Sequence, residues 1–195
     1  MEPPCVERCM SPQDSRRRVV LVTGGVRSGK SRYAQELAAS SDSVAVIATA
    51  EGRDEEMRLR IANHREQRPA SWTTVEAPID LPAALTDSGN KFDTILVDCL
   101  TLWASNLLED ERCSVERVLQ HGEALVNALR TCRASVILVS NEVGSGIVPD
   151  NELSRVYRDA LGGINQRIAA AADEVVLLVA GCPLVIKRAG EAVAQ

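Results

Sequence analysis

Eight consecutive residues near the start of the chain have the types and the spacing needed to bind a chain of phosphates. They run Gly24-Gly25-Val26-Arg27-Ser28-Gly29-Lys30-Ser31 and fit the pattern G-x-x-x-x-G-K-[ST]. Glycines let backbone N–H groups approach phosphate oxygens without a clash from a Cβ atom. The lysine can reach the β- and γ-phosphates, and the hydroxyl of Ser31 can ligate Mg²⁺. This glycine loop therefore predicts a nucleotide-binding site.

The two histidines of the chain, His64 and His121, are its candidates for a nucleophile at phosphorus. His64 lies in a predicted amphipathic helix close to Arg60, Arg65 and Arg68, and guanidinium groups bind phosphate oxygens bidentately. A neutral imidazole among phosphates can attack phosphorus, but a lone histidine on a helix is more often structural. On the residues alone, both interpretations of His64 stay open. His121 is expected on a solvated helix surface.

The segments around these residues predict alternating strands and helices. The apolar run Val19–Thr23 predicts a buried strand before the glycine loop, and Ser31–Ala39 has the spacing of a helix after it. Further strands are predicted at 44–49, 72–76, 92–98, 134–140 and 174–181, with a short one at 183–187. Further helices are predicted at 54–67, from 81 onward, and at 100–108 and 115–130. The segment 152–172 predicts one long helix or two, interrupted at Gly162-Gly163. The alternation predicts a mostly parallel sheet with right-handed crossovers. Together with the glycine loop, it predicts an α/β fold of the P-loop NTPase, RecA-like kind, with helices on both faces.

Asp98 ends one of the predicted strands and is a second candidate ligand for Mg²⁺. A strand-end carboxylate near a glycine loop can hold the ion or its water shell. The alternative is a carboxylate that caps the following turn, and the glycine loop upstream favours the metal role. The polar segment Asn141–Pro149 follows another strand, at the end of the strand where open α/β sheets bind ligands.

Length, charge and cysteine usage restrict the class of protein. A chain of 195 residues with 45% hydrophobic content fits one domain, expected at 18–195. The net charge of −5 argues against nucleic acid as the main partner, and no apolar run is long enough for a membrane span. Residues 1–17 are expected to form a disordered extension without a secretory signal. Six scattered cysteines favour a reduced, cytoplasmic protein, and Cys5 with Cys9 is weak evidence for a metal site.

From Val19 to Lys187 the chain resembles the family of bifunctional adenosylcobinamide kinase/adenosylcobinamide-phosphate guanylyltransferases. The most specific resemblance lies in Ser140-Asn141-Glu142-Val143-Gly144-Ser145-Gly146-Ile147-Val148-Pro149. The other segments that carry it are Thr23–Arg32, Ile47–Ala50, Asp54–Met57, Arg60–Arg65, Arg68-Pro69 with Trp72, Asp98–Thr101, Asn106–Leu108, Tyr157–Asp159, Gly162, Asn165-Gln166 and Ala170–Val175.

The resemblance implies two reactions. The first phosphorylates the hydroxyl on the aminopropanol arm of adenosylcobinamide with ATP or GTP. In the second, a histidine takes GMP from GTP and releases pyrophosphate, and GMP then passes to adenosylcobinamide phosphate to give adenosylcobinamide-GDP. His64 matches the position of that histidine, and Asn63 stands where some relatives carry another one.

The resemblance also implies the site residues. His64 and Lys30 would be catalytic, and Ser31 and Asp98 would hold Mg²⁺. Glu76 is implied as a GTP contact, and its carboxylate could accept hydrogen bonds from guanine N1–H and N2–H₂, which would select guanine over adenine. The sequence alone favours a solvated strand residue at this position. The implied nucleotide contacts are Thr23, Gly24, Gly25, Val26, Arg27, Ser28, Gly29, Lys30, Ser31, Ala48, Thr49, Ala50, Arg65, Glu66, Gln67, Arg68, Glu76 and Asp98.

The implied assembly is a homo-oligomer, a trimer, and the implied partners are adenosylcobinamide, its phosphate, GTP and ATP. The apolar pairs Leu102-Trp103 and Ile147-Val148 are candidate positions for the corrinoid ring. Two alternatives remain on the sequence: a small-molecule kinase without the guanylyltransferase step, and a GTP-binding regulatory switch.

Overall fold

The structure, a computed structural model, describes residues 17–66, 68–109 and 114–189. Three of the predictions lie outside the described residues. They are the extension up to residue 16, the cysteine pair at 5 and 9, and the nucleotide contact of Gln67.

Strands and helices alternate along the described chain, as predicted. The strands are β1 Val19–Gly24, β2 Val44–Ala48, β3 Thr73–Glu76, β4 Thr94–Asp98, β5 Ser135–Val139, β6 Glu174–Val179 and β7 Cys182–Arg188. The helices are α1 Lys30–Ala38, α2 Glu55–Glu66, α3 Leu81–Ser88, α4 Leu100–Glu109, α5 Val115–Thr131 and α6 Glu152–Ala171.

The strands form one sheet in the order β3-β2-β4-β5-β1-β6-β7. The first six are parallel, and β7 alone pairs antiparallel with β6. The antiparallel pair follows from a two-residue turn at Ala180 and Gly181, whose φ angles of 50° and 84° suit a tight hairpin. The predicted mostly parallel sheet is confirmed, and β5 lies between the strand of the glycine loop and the strand of Asp98.

Alternate residues of the strands point to two hydrophobic layers, one on each face of the sheet. Val20 and Val22 of β1 belong to the layer that α1 covers with Ala34 and Ala38. Leu21 of β1 belongs to the other layer, to which α3, α4, α5 and α6 contribute. The prediction of helices on both faces is confirmed, and the two layers fix the positions of the strand ends that carry the candidate site.

Helix α6 differs from the prediction, because it continues through Gly162 and Gly163 without a break. A Cβ atom on Gly163 would lie 2.5 Å from Cδ2 of Leu119 on α5. Glycine at 163 therefore serves the close approach of two helices, and the interruption predicted there is wrong.

Helix α2, which carries His64, is less amphipathic than predicted. Met57, Ile61 and His64 are half-buried and lie on one face at helical spacing. None of its described side chains is fully buried, and Leu59 is 57% exposed. The helix therefore lies on the surface, near the carboxyl ends of the strands, instead of packing into a hydrophobic layer.

Candidate functional site

The glycine loop connects the carboxyl end of β1 to the first turn of α1. Gly24 and Gly29 have φ angles of 147° and 95°, which side-chain-bearing residues rarely adopt. A Cβ atom at Gly24 would also clash with the carbonyl oxygen of Leu178 on β6. The loop therefore needs glycine at these two positions, and its backbone turns toward the N-terminus of α1, where helices bind anions.

Lys30 is directed into this loop. Its Nζ donates to the carbonyl oxygen of Gly25 at 2.6 Å and to Oγ of Ser28 at 3.4 Å. Burial lowers the pKa of Lys30, because it disfavours the ammonium form. Ser31 follows at the start of α1 and is half-buried. Val26 and Arg27 form the exposed tip of the loop.

Thr49 connects the carboxyl ends of β2 and β4. Its Oγ1 donates to the carbonyl oxygen of Cys99 at 2.7 Å and accepts from the Cys99 N–H at 2.9 Å. Thr49 is fully buried, whereas Ala48 and Ala50 on either side are half-buried. Asn106 of α4 supports this connection by donating to the carbonyl oxygen of Thr49 at 2.8 Å. Sequence reasoning gave Asn106 no role of its own, because its partner is 57 residues away.

Asp98, Arg68 and His64 form one cluster at the end of β4. Arg68 donates to Oδ2 of Asp98 at 2.9 Å, and Nδ1 of His64 lies 3.6 Å from the same oxygen. Burial raises the pKa of Asp98, but the neighbouring His64 and Arg68 lower it by more, so its net pKa is below the ordinary value. The side chain of Arg68 is only 7% exposed, and its Nε has no partner among the described residues.

Arg65 and Glu76 form a second, exposed ion pair beside this cluster. Arg65 comes from the last turn of α2, and Glu76 is the last residue of β3. Glu66 is exposed next to Arg65. Three groups of predicted site residues therefore lie along the carboxyl ends of the parallel strands: the glycine loop at β1, the Asp98 cluster at β4, and the Arg65–Glu76 pair at β3.

The donors available for a metal ion are oxygens. Among the described residues, no group of three or more His, Cys, Asp or Glu side chains is arranged to hold a metal. Ser31 and Asp98 each offer an oxygen, and Thr23 below the loop has a buried hydroxyl without a partner in the described chain. This donor set suits a hard cation that shares its ligands with phosphate oxygens.

Two predictions made around this region are wrong. His121 is half-buried instead of solvated, and its ring packs edge-to-face on Trp103 with centroids 6.4 Å apart. Trp103 is itself fully buried and donates from Nε1 to the carbonyl oxygen of Ile79 at 2.7 Å. A fully buried tryptophan cannot contact a corrinoid ring. The pair Leu102-Trp103 is therefore not a docking position. Ile147 and Val148, in contrast, are 97% and 57% exposed.

Glu142 is a residue that sequence reasoning quoted without a role. Its backbone N–H donates to the carbonyl oxygen of Gly24 at 3.0 Å, so it lies directly beside the start of the glycine loop. Its position in the sequence, two residues after the end of a predicted strand, could have indicated a place in the site, because open α/β sheets bind ligands at the carboxyl ends of their strands.

No helix in the described parts of the chain is both long and apolar enough to cross a membrane.

Comparisons with known proteins give a family and similar relatives. A family model described as cobinamide kinase/cobinamide phosphate guanyltransferase matches residues 20–186. The bifunctional adenosylcobalamin biosynthesis protein CobP of Pseudomonas aeruginosa is 47% identical over 171 residues, covering 86% of this chain and 96% of the relative. The bifunctional adenosylcobalamin biosynthesis protein CobU of Salmonella typhimurium is 43% identical over 180 residues, covering 87% and 99%. The protein of the same name from Escherichia coli K12 is 41% identical over 180 residues with the same coverage.

Proposed function

The chain belongs to the cobinamide kinase/cobinamide phosphate guanyltransferase family and is a transferase, and we propose that it phosphorylates adenosylcobinamide and then guanylylates the product. ATP or GTP supplies a phosphoryl group to the hydroxyl of the aminopropanol arm. A histidine then takes GMP from GTP, releases pyrophosphate, and passes GMP to adenosylcobinamide phosphate. The product is adenosylcobinamide-GDP.

Support for the kinase half comes from the glycine loop and Lys30. The ammonium group donates to acceptors of the loop itself, the Gly25 carbonyl and the Ser28 hydroxyl. In the proposed complex, β- and γ-phosphate oxygens replace these acceptors, so Lys30 needs little movement to bind them. Backbone N–H groups of residues 24–31 and the N-terminus of α1 surround the remaining oxygens. Lys30 then stabilises the charge on the phosphoryl group as it is transferred.

The observation that carries the transferase half is the contact between His64 and Asp98. Nδ1 of His64 lies 3.6 Å from Oδ2 of Asp98, and a carboxylate on this side favours the neutral tautomer with its proton on Nδ1. The lone pair is then on Nε2, which attacks the α-phosphorus. The new N–P bond forms as the bond to the bridging oxygen breaks and pyrophosphate leaves. A phosphate oxygen of adenosylcobinamide phosphate attacks the same phosphorus and releases the imidazole.

Arg68, Arg65 and Glu76 are proposed to hold GTP in this step. The buried Nε of Arg68 lacks a partner among the described residues, and a phosphate oxygen would satisfy it. Glu76 has a second carboxylate oxygen beyond the one that binds Arg65, and this oxygen would accept from the guanine base. The other contacts implied by the resemblance, at Ala48–Ala50 and Glu66, belong to the same proposal.

Ser31 and Asp98 fit the proposed Mg²⁺ ion, because both offer the oxygen ligands that Mg²⁺ prefers. Arg68 and His64 both contact Oδ2 of Asp98, so Oδ1 is the proposed partner of the ion's water shell. When bound, the ion would neutralise charge on the β- and γ-phosphate oxygens.

The proposal includes a cytoplasmic protein with one folded domain at 18–195, assembled as a homotrimer. A single sheet that contains every described strand from Val19 to Arg188 supports one domain. The free thiols of Cys99, Cys132 and Cys182 fit a reducing compartment. The trimer rests on the family resemblance alone.

The transferase half is tested with labelled GTP. GTP labelled at the α-phosphorus, with Mg²⁺, is expected to leave an acid-labile, base-stable label on the wild-type protein and on His121→Ala, but not on His64→Ala. His121→Ala is the matched control, because it removes the other histidine of the chain from a position on α5 that packs on Trp103. Equal label on His64→Ala and the wild type would contradict the transferase proposal.

A further inference from the structure

We propose that Glu142 is the general base of the kinase step, which takes the proton from the acceptor hydroxyl as it attacks the γ-phosphorus. The inference rests on the proposed kinase reaction and adds a catalytic residue to it. Three observations support it: Glu142 lies beside the glycine loop, a backbone hydrogen bond orients its carboxylate, and neighbouring carboxylates form ion pairs.

Strand β5 brings Glu142 to the loop. It pairs in parallel with β1 on one side and with β4 on the other. Beyond the paired residues, Ser140 donates its N–H to the carbonyl oxygen of Val22 at 3.0 Å, and Glu142 donates to that of Gly24 at 3.0 Å. The backbone of Glu142 therefore lies next to Gly24, the first glycine of the loop. The carbonyl of the next residue, Gly25, accepts from Lys30.

The carboxylate of Glu142 is oriented and accessible. Its Oε1 accepts the backbone N–H of Gly144 at 2.6 Å, which fixes the direction of the group and leaves Oε2 with no hydrogen bond among the described residues. The residue is exposed, so an acceptor substrate can approach it from solvent. In the described chain no basic side chain forms an ion pair with it.

Three other carboxylates at the same ends of the strands have cationic partners. Asp98 accepts from Arg68 and lies next to His64. Glu76 pairs with Arg65, and Glu51 pairs with Arg53 at 2.6 Å. A guanidinium group that pairs with a carboxylate occupies an oxygen that would otherwise receive the proton. Among these four carboxylates, Glu142 is therefore the one without a cationic partner, and its backbone lies beside the glycine loop.

Proton transfer and phosphoryl transfer are coupled in the proposed step. The proton of the acceptor hydroxyl moves to Oε2 of Glu142 as the hydroxyl oxygen forms a bond to the γ-phosphorus. The bond from that phosphorus to the β–γ bridging oxygen breaks, and the electron pair leaves with ADP or GDP. Lys30 stabilises the phosphoryl oxygens during the transfer. The carboxyl proton is afterwards released to solvent.

Glu142→Gln is the decisive variant, because a glutamine oxygen still accepts from Gly144 but cannot take the proton. We expect the kcat of adenosylcobinamide phosphorylation to fall by about 100-fold or more, with little change in KM for the nucleotide. Label on His64 from α-labelled GTP, and transfer of GMP to adenosylcobinamide phosphate supplied ready-made, should stay at the wild-type level. Glu152→Gln, an exposed glutamate in the first turn of α6, is the matched control and should leave all three activities unchanged.

Glu142→Ala provides a second test that does not depend on the glutamine. Added formate, a small carboxylate, should restore part of the lost kinase kcat in Glu142→Ala and have no effect on the wild type. A kinase kcat of Glu142→Gln close to the wild-type value would overturn the proposal. So would loss of His64 labelling together with the kinase step, since that result indicates a damaged nucleotide site. Failure of the guanylyl-histidine itself would appear as absent label on the wild type and would leave the kinase comparison intact.

Discussion

Oδ2 of Asp98 lies 3.6 Å from Nδ1 of His64, and it accepts a hydrogen bond from Arg68 at the same time. The three side chains come from β4, from α2 and from the segment after α2. Because no described side chain of α2 is fully buried, this contact is one of the interactions that hold the helix near the sheet. One carboxylate therefore both positions the proposed nucleophile and neutralises a buried guanidinium group.

The buried pair predicts a large effect of removing the carboxylate charge. We expect Asp98→Asn to lower the free energy of unfolding near neutral pH by about 3 kcal/mol. Arg68 is only 7% exposed and keeps its charge while losing its partner. Denaturant unfolding of the two proteins measures the difference.

The stability difference between the wild type and Asp98→Asn should depend on pH and decrease in acid. The pKa of Asp98 is lowered in the folded protein, so its stabilisation is complete above the ordinary carboxyl pKa of about 3.9 and is lost as the pH falls through the lower folded value. The difference between wild type and Asp98→Asn should shrink in that acidic range. Asp42→Asn, at an exposed position, should stay within about 0.5 kcal/mol of wild type throughout. A difference that persists unchanged into strong acid would argue against the ion pair as its source.

Lys30→Ala is expected to reduce the kcat of phosphoryl transfer by about 100- to 1,000-fold. The variant removes the ammonium group that points into the glycine loop, while the backbone N–H groups that bind phosphates remain. Lys91→Ala removes an exposed lysine and serves as the control in the same steady-state assay. Equal turnover in the two variants would mean that phosphoryl transfer occurs elsewhere.

Glu76→Gln is expected to weaken the selection of guanine. We expect the preference for GTP over ITP, which lacks the N2 amino group, to fall by about tenfold in the labelling reaction. Glu36→Gln is a suitable control, because it removes the carboxylate of another exposed Arg–Glu pair, with Arg32 on α1. If both variants keep the wild-type preference for GTP over ITP, Glu76 does not contact the guanine base.

Two adjacent glycines of α6 should respond differently to alanine. A Cβ atom at Gly162 meets nothing within 4 Å, whereas one at Gly163 lies 2.5 Å from Cδ2 of Leu119. Gly162→Ala should therefore raise the free energy of unfolding by up to about 1 kcal/mol through helix propensity. The free energy of unfolding of Gly163→Ala should be about 1 kcal/mol or more lower than that of Gly162→Ala, because Leu119 must move. Equal stabilities would show that α5 and α6 adjust without cost.

Local patterns in the sequence predicted the elements and the glycine loop well. The loop lies within eight residues, and most of the strands are short apolar runs, so no distant contact is needed to recognise them. The seven-stranded sheet and the helices on both faces follow from the alternation of these elements.

Features that depend on distant neighbours were missed. Arg68 and Asp98 are 30 residues apart, and their contact requires the strand order that puts β2 beside both β3 and β4. The burial of Trp103 and the packing of His121 on it depend on how α4 and α5 meet. The continuity of α6 at Gly163 depends on Leu119 of another helix. None of these relationships has a signal in a single segment of sequence.

Mass spectrometry of the protein after incubation with GTP and Mg²⁺ is the sharpest test of the guanylyl-histidine. We expect a GMP adduct on the peptide that contains His64, absent from His64→Ala and lost when adenosylcobinamide phosphate is added to the wild type. An adduct confined to another peptide, or a folded wild-type protein that carries no adduct at any time, would contradict it.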